Sequence, residues 1–190
     1  MPAHRLDHLD VITGSGPTAL RSLLAGARLV PEVTAGIALR TDGGCQPLPG
    51  LRVDPLLTRG SPVVAAARRR LRDVQITASF LWPRGGDDAP DGHARVTVLS
   101  GADDAGAEFC GLALLSRTPW LRGLTPRELQ VLGLLVEGRT NADIAHVLVV
   151  TARTVATHLE HILAKLGAPT RTLAAVQAAR DGLYVPAEGH

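Results

Sequence analysis

The chain has 190 residues, 45% of them hydrophobic, and a formal net charge of +2. That allows a packed core in one domain or two small ones, and it excludes bulk charge as the source of any attraction to a partner. Cys45 and Cys110 are far apart without CxxC spacing and read as two reduced thiols, not as a metal or redox pair. Lys165 is the only lysine, which leaves no Walker-type loop ending in Lys, no Schiff-base lysine at any other position and no lysine for a phosphorylated receiver domain. No apolar run approaches the roughly 18 residues needed to span a bilayer. The opening Met1-Pro-Ala-His-Arg-Leu-Asp-His-Leu-Asp10 mixes charges where a signal peptide needs an apolar stretch, so a cytoplasmic protein without membrane contact is expected.

In chain order, Gly14-Ser15-Gly16-Pro17 reads as a turn into a helix running to about Glu32, with Leu20, Leu23, Leu24 and Ala27 as its apolar positions. Val33, Ala35, Ile37 and Leu39 alternate as a strand would, and Asp42-Gly43-Gly44 supplies a hairpin turn. The partner strand near Cys45–Val53 contains Pro47 and Pro49 and is expected to be a short edge strand. Ser61-Pro62 opens a helix through Val64, Ala67 and Leu71. Three strands follow, one through Ile76, Ala78, Phe80 and Trp82, one over Arg95–Leu99, and one over Cys110–Leu115 that is apolar on both faces, as a central strand is. The Asp- and Gly-rich loops Gly85–Gly92 and Gly101–Glu108 are expected in water. The expected architecture is an α+β domain over residues 1–116, one antiparallel sheet with helices on one face. Its element order is loosely similar to GAF or PAS sensory domains, a likeness of topology that carries no residues across and implies a small-molecule effector or dimerisation.

Residues 117–123 contain Pro119 and Gly123, lack periodicity and are expected to be a linker. Residues 124–186 then read as an all-α bundle of four helices. Thr125-Pro126-Arg127-Glu128 is a capping box with Pro in the first turn; Leu129, Val131, Leu132, Leu135 and Val136 form a buried stripe, and Gly138 closes the helix. Asn141 is expected to cap a short second helix with Ile144, Ala145 and Leu148 inward; Thr151 caps the third. The second and third helices are separated by so few residues that they must cross at a steep angle. A fourth helix runs from about Thr170 to Asp181 and ends at Gly182.

The third helix has two faces. Val155, Leu159, Ile162, Leu163 and Leu166 repeat with a helical period, while Arg153, Thr157, Glu160 and His161 lie opposite. The run Leu124–Ala175, about a third of the chain, resembles the LuxR-type (GerE-like) helix-turn-helix of bacterial transcription regulators. The resemblance is carried by Leu124-Thr125, Arg127-Glu128, Val131-Leu132, Gly138, Asn141, Ile144-Ala145, Leu148, Thr154-Val155, His158, Ile162, Lys165-Leu166 and Arg171. It implies a non-enzymatic DNA-binding module whose third helix enters the major groove and whose fourth makes a dimer.

On that footing Arg153, Ala156, Thr157, Glu160 and His161 are placed to meet base edges, and Thr151, Thr154, His158 and Lys165 to meet phosphates; Asn141 is counted with the DNA-contacting residues. The family often has a basic residue where Ala156 stands, and often a basic or polar one at Glu160. A methyl group facing thymine and a carboxylate accepting from a cytosine amine are the expectations here. Leu173, Val176, Gln177 and Arg180 are the candidate dimerisation edge, matched to an inverted-repeat operator on duplex DNA.

Other features read structurally. His158 and His161 lie one turn apart without a third ligand, and His4 and His8 are treated likewise, so no metal is expected. The basic run Arg68, Arg69, Arg70 and Arg72 is a solvated helix face, Phe80 and Trp82 are core, and Cys110 is a small buried hydrophobe. Gly14-Ser15-Gly16 lacks the context of a nucleophile elbow, so neither a catalytic site nor a cofactor is expected. The competing reading is a ligand- or partner-binding regulatory protein whose helical domain works through protein contacts instead of DNA.

Overall fold

The computed structural model describes residues 24–73, 77–101 and 108–187. Its elements are strands β1 (Val33–Arg40) and β2 (Cys45–Pro47), a 3-10 turn at Pro55–Leu57, helix α1 (Pro62–Asp73), strands β3 (Thr77–Pro83), β4 (His93–Ser100) and β5 (Phe109–Ser116), and helices α2 (Pro126–Val136), α3 (Asn141–Leu148), α4 (Ala152–Leu166) and α5 (Arg171–Asp181). The chain divides into two compact units. Of the described residues, one unit holds those up to Ala78 together with those of Val96–Arg117; the other holds Ser79–Arg95 together with those from Thr118 onward. The five strands form one sheet in the order β2-β1-β5-β4-β3.

In the first unit β1 is antiparallel to β2, with Leu39 opposite Cys45, and antiparallel to β5, with Ile37 opposite Ala113. Aspartate and glycine make the expected hairpin turn: the Asp42 carboxylate accepts from the Gly44 amide at 2.8 Å, and Gly43 takes a φ of 87°. The apolar strand β5 lies in the middle of the sheet and the proline-containing β2 at its edge. Leu24, Ala27, Val33, Ala38, Leu48, Phe109, Leu112 and Leu114 form one buried cluster.

Three local expectations change. Residues 24–27 are helical, but the chain leaves the helix there, and Glu32 adopts a left-handed φ of 54°, so this helix ends with its last apolar position, Ala27, and not at about Glu32. Arg68 is not merely solvated: its guanidinium donates to the Arg40 carbonyl at 3.0 Å and to the Gly44 carbonyl at 2.5 Å, holding the hairpin turn against α1. Cys110 is half-buried, and its thiol donates to the Leu39 carbonyl at 3.3 Å, because a bulge at Leu39–Arg40 leaves that acceptor within reach. His4, His8, Gly14-Ser15-Gly16, the helix start at residues 17–23, Ile76 and residues 102–107 of the second acidic loop lie outside the described residues.

The second unit is built around α2. The sequence pattern gives this helix one buried stripe, yet Glu128, Gln130, Gly133 and Leu134 are buried as well. α3, α4 and α5 supply one set of neighbours, and residues 183–185, themselves buried, supply another: the Val185 amide donates to the Leu129 carbonyl at 3.1 Å. Phe80 and Trp82 are core residues, stacked edge to face with centroids 6.4 Å apart. The loop between β3 and β4 is mostly exposed, as expected of its composition, but Ala89 is buried and the Asp87 carbonyl accepts from the Gln130 carboxamide at 3.2 Å.

Candidate nucleic-acid interface

Four threonines set the helix starts. Thr125 and Glu128 form a complete capping box at α2. α3 is capped by Thr140, with Asp143 reciprocating, and not by Asn141. The Thr-x-x-Asp spacing satisfies two orphan amides at once, whereas a cap at Asn141 would satisfy one. The Asp143 carboxyl is held below its ordinary pKa by the Thr140 hydroxyl and then the Thr140 amide. Thr151 caps α4, accepting from the Thr154 amide at 3.1 Å, and Thr170 caps α5.

Between α3 and α4 the chain turns through 107°, within the range of a helix-turn-helix. The turn depends on Val149, which closes α3 in the left-handed region (φ 53°, ψ 50°) and is 89% exposed. Arg127 buttresses the same corner, donating to the Leu148 carbonyl at 2.6 Å. Arg171 at the start of α5 donates to the Arg139 carbonyl at 2.7 Å and to the Asn141 side-chain oxygen at 3.2 Å, so the Asn141 carboxamide is oriented by a fixed guanidinium.

α4 presents the two faces read in the sequence. Val155, Leu159, Ile162 and Leu166 are buried. Arg153, Thr157, Glu160 and His161 are exposed in one row, with Ala156 and His158 half-buried at its margins and Thr151 and Thr154 exposed at its start. The Thr157 hydroxyl donates to the Arg153 carbonyl at 3.3 Å, which leaves its oxygen facing outward as an acceptor. Arg153 and Glu160 have no side-chain partner among the described residues. A helix about 10–12 Å across with such a row matches a major groove about 12 Å wide. Among the described residues no third metal-ligating side chain joins His158 and His161, and no single helix is long and apolar enough to cross a membrane.

Lys165 differs from its neighbours. Its ammonium lies 2.7 and 2.9 Å from the two carboxylate oxygens of Glu128, a residue that is 2% exposed. Burial alone would raise the Glu128 pKa; the Lys165 hydrogen bond, then the Thr125 amide, more than cancel it, and the net shift is downward. His161 adds a weaker contact, Nδ1 at 3.9 Å from Oε1. The single lysine of the chain is thus the solvent-side half of an ion pair with a buried carboxylate, linking α4 to the cap of α2. A contact 37 residues distant leaves no signature in the local pattern.

On α5, Leu173 and Val176 are exposed apolar residues, 39% and 56% accessible, and Arg180 is exposed beside them. Gln177 is half-buried, and its carboxamide oxygen has no hydrogen-bond partner among the described residues.

These four helices form a helix-turn-helix arrangement in which the polar row of α4 is exposed. Residues 122–178 match the family model described as "Bacterial regulatory proteins, luxR family", so this segment is a LuxR-family helix-turn-helix domain. Over 60 residues the chain is 50% identical to the transcriptional regulatory protein LiaR of Bacillus subtilis, covering 32% of this chain and 28% of LiaR. It is 48% identical over 56 residues to the DNA-binding transcriptional activator DevR/DosR of Mycobacterium tuberculosis, covering 30% of this chain and 26% of that one. The match therefore spans about a quarter of the length of these relatives. Among solved structures, the VqmA dimer of Vibrio cholerae aligns over 88% of this chain and 90% of its own, with 17% identity and a TM-score of 0.39.

Proposed function

We propose that this chain is a cytoplasmic transcription regulator that binds duplex DNA by laying α4 in the major groove. The observation that carries this reading is the exposed row Arg153–Thr157–Glu160–His161 on a helix held 107° from its predecessor, within a segment matching the luxR-family model. Arg153, Ala156, Thr157, Glu160 and His161 meet base edges; Thr151, Thr154, His158 and the amides at the start of α4 meet phosphate. Asn141, oriented by Arg171, serves the second helix's approach to the backbone. The charge of Lys165 is spent on Glu128, so its part is to seat α4 and not to neutralise a phosphate.

Leu173, Val176, Gln177 and Arg180 pair two copies through α5, which places two recognition helices for an inverted repeat. Residues 1–116 act as the sensory or dimerisation domain, 117–123 as linker and 124–186 as the DNA-binding domain, and no catalytic step is assigned to any of them. Selection of genomic fragments on the full chain at two salt concentrations tests this. Inverted repeats with half-sites about 10 base pairs apart, or a multiple of that, are the expected product. A folded protein that enriches no fragment at either salt, while still forming a protein complex through its helical domain, would favour the partner-binding alternative.

A further inference from the structure

We infer that the β3–β4 hairpin, residues 79–95, and the C-terminal segment 182–187 form a latch that joins the sheet's edge strand to α2 and to the end of α5. β3 is an edge strand, whose outward amides need partners. The Leu81 amide donates to the Tyr184 carbonyl at 2.8 Å, and one residue further the Val185 amide donates to the Leu129 carbonyl inside α2. The tail thus runs between strand and helix, hydrogen-bonded to both. Leu183, Tyr184 and Val185 are buried although they follow the last helix.

Two glycines make room for it. A Cβ on Gly133 would lie 1.7 Å from the Val185 carbonyl oxygen, so the tail's backbone rests directly on the backbone of α2. Glycine weakens a helix interior, and the close approach is what this position gains. Gly182 takes a left-handed φ of 64°, and a Cβ there would lie 2.7 Å from Ser79 Cβ. Polar contacts extend the same junction. The Arg95 guanidinium donates to the Asp181 carbonyl, Arg122 pairs with the Asp181 carboxylate at 3.1 Å, and Gln130 reaches Asp87 in the hairpin loop.

Because the hairpin 79–95 touches the tail, α2 and the C-terminal end of α5 within one unit, a shift of this hairpin reaches both helices through contacts other than residues 117–123. The recognition row of α4 and the apolar edge of α5 stay exposed while the latch is closed. The latch therefore acts by setting where α5 is held, not by covering the groove-facing surface. This relay rests on the reading that α5 pairs two DNA-binding copies; the latch itself does not.

Amide hydrogen exchange on the full chain tests it, comparing wild type with Gly133→Ala, which expels the tail while favouring the helix, and with Arg95→Met, which removes one clamp and no backbone. Exchange in residues 79–83 and 183–187 should rise roughly tenfold in Arg95→Met, the worth of about one net hydrogen bond, and further in Gly133→Ala, with α4 unchanged. Unchanged protection of those segments in Arg95→Met, or no protection in the wild type, overturns the latch; if Gly133→Ala also exposes α4, Arg95→Met decides. In the relay arm, affinity for a duplex with two half-sites should fall while that for a single half-site stays the same. Equal affinities in wild type and variants overturn the relay. A wild type that binds neither duplex overturns the DNA-binding reading and leaves the exchange result to judge the latch.

Discussion

Replacing Lys165 by methionine strands a buried carboxylate. Glu128 loses the two contacts at 2.7 and 2.9 Å and keeps the Thr125 amide at 2.8 Å and the distant His161 ring. Breaking a fully buried ion pair costs about 3–5 kcal/mol. Lys165 is 31% exposed on its side chain, so water reaches the gap and the cost falls to about 2–3 kcal/mol. Glu128→Gln added to Lys165→Met removes the stranded charge while the amide oxygen still accepts at the cap. The double variant should accordingly be more stable than the single one by about 1–2 kcal/mol. Both tryptophans, Trp82 and Trp120, belong to the unit that contains this pair, so urea unfolding followed by tryptophan fluorescence reads it directly. A Lys165→Met cost below about 0.5 kcal/mol, the scale of a surface pair, or additive effects of the two substitutions, would refute the reasoning.

Two further predictions concern stability. Val149 is a β-branched residue in the left-handed region with its side chain in solvent; Val149→Asn should stabilise the second unit by about 1 kcal/mol, seen as a raised urea midpoint at constant slope, and an unmoved midpoint would contradict the strain. Acid should destabilise the same unit in two stages. Burial lowers the His93 pKa below its ordinary 6.5, so the unfolded chain takes up a proton there first and stability falls as pH drops through about 6.5. The depressed Glu128 carboxyl contributes stability above about 4.5 that is lost as pH falls through its folded value. Unfolding midpoints at pH 8, 6 and 4 should decline in that order, and His93→Leu should flatten the first step only; a midpoint level from pH 8 to 6 in the wild type would contradict the assignment.

What was legible in the sequence is what neighbours in sequence decide. Thr125, Thr151, Thr170, Gly138 and Gly182 mark helix ends because a cap is a contact over three or four residues, and the 3.6-residue period of Val155, Leu159, Ile162 and Leu166 fixes which side of α4 faces out. The cap of α3 is just as local, in Thr140-x-x-Asp143, but Asn141, itself a favoured cap residue, stands one position further on and masks it. Arg68 on two carbonyls, Lys165 on Glu128 and Val185 on Gly133 are contacts across 24 to 52 positions, which no periodicity encodes. Gly133, inside the apolar run Val131–Val136, is the local sign that another backbone comes close there.

The central claim, that the row on α4 grips duplex DNA, is tested most directly by titrating a selected duplex with the full chain across salt concentrations, for wild type and for Arg153→Ala/Thr157→Ala. The wild-type affinity should fall linearly on a log–log plot, by about 0.9 for each phosphate neutralised. The double variant should bind more weakly by about 1–3 kcal/mol at every salt while remaining folded. A folded wild type that ignores duplex DNA at low salt, or a variant whose curve superimposes on it, would contradict the account.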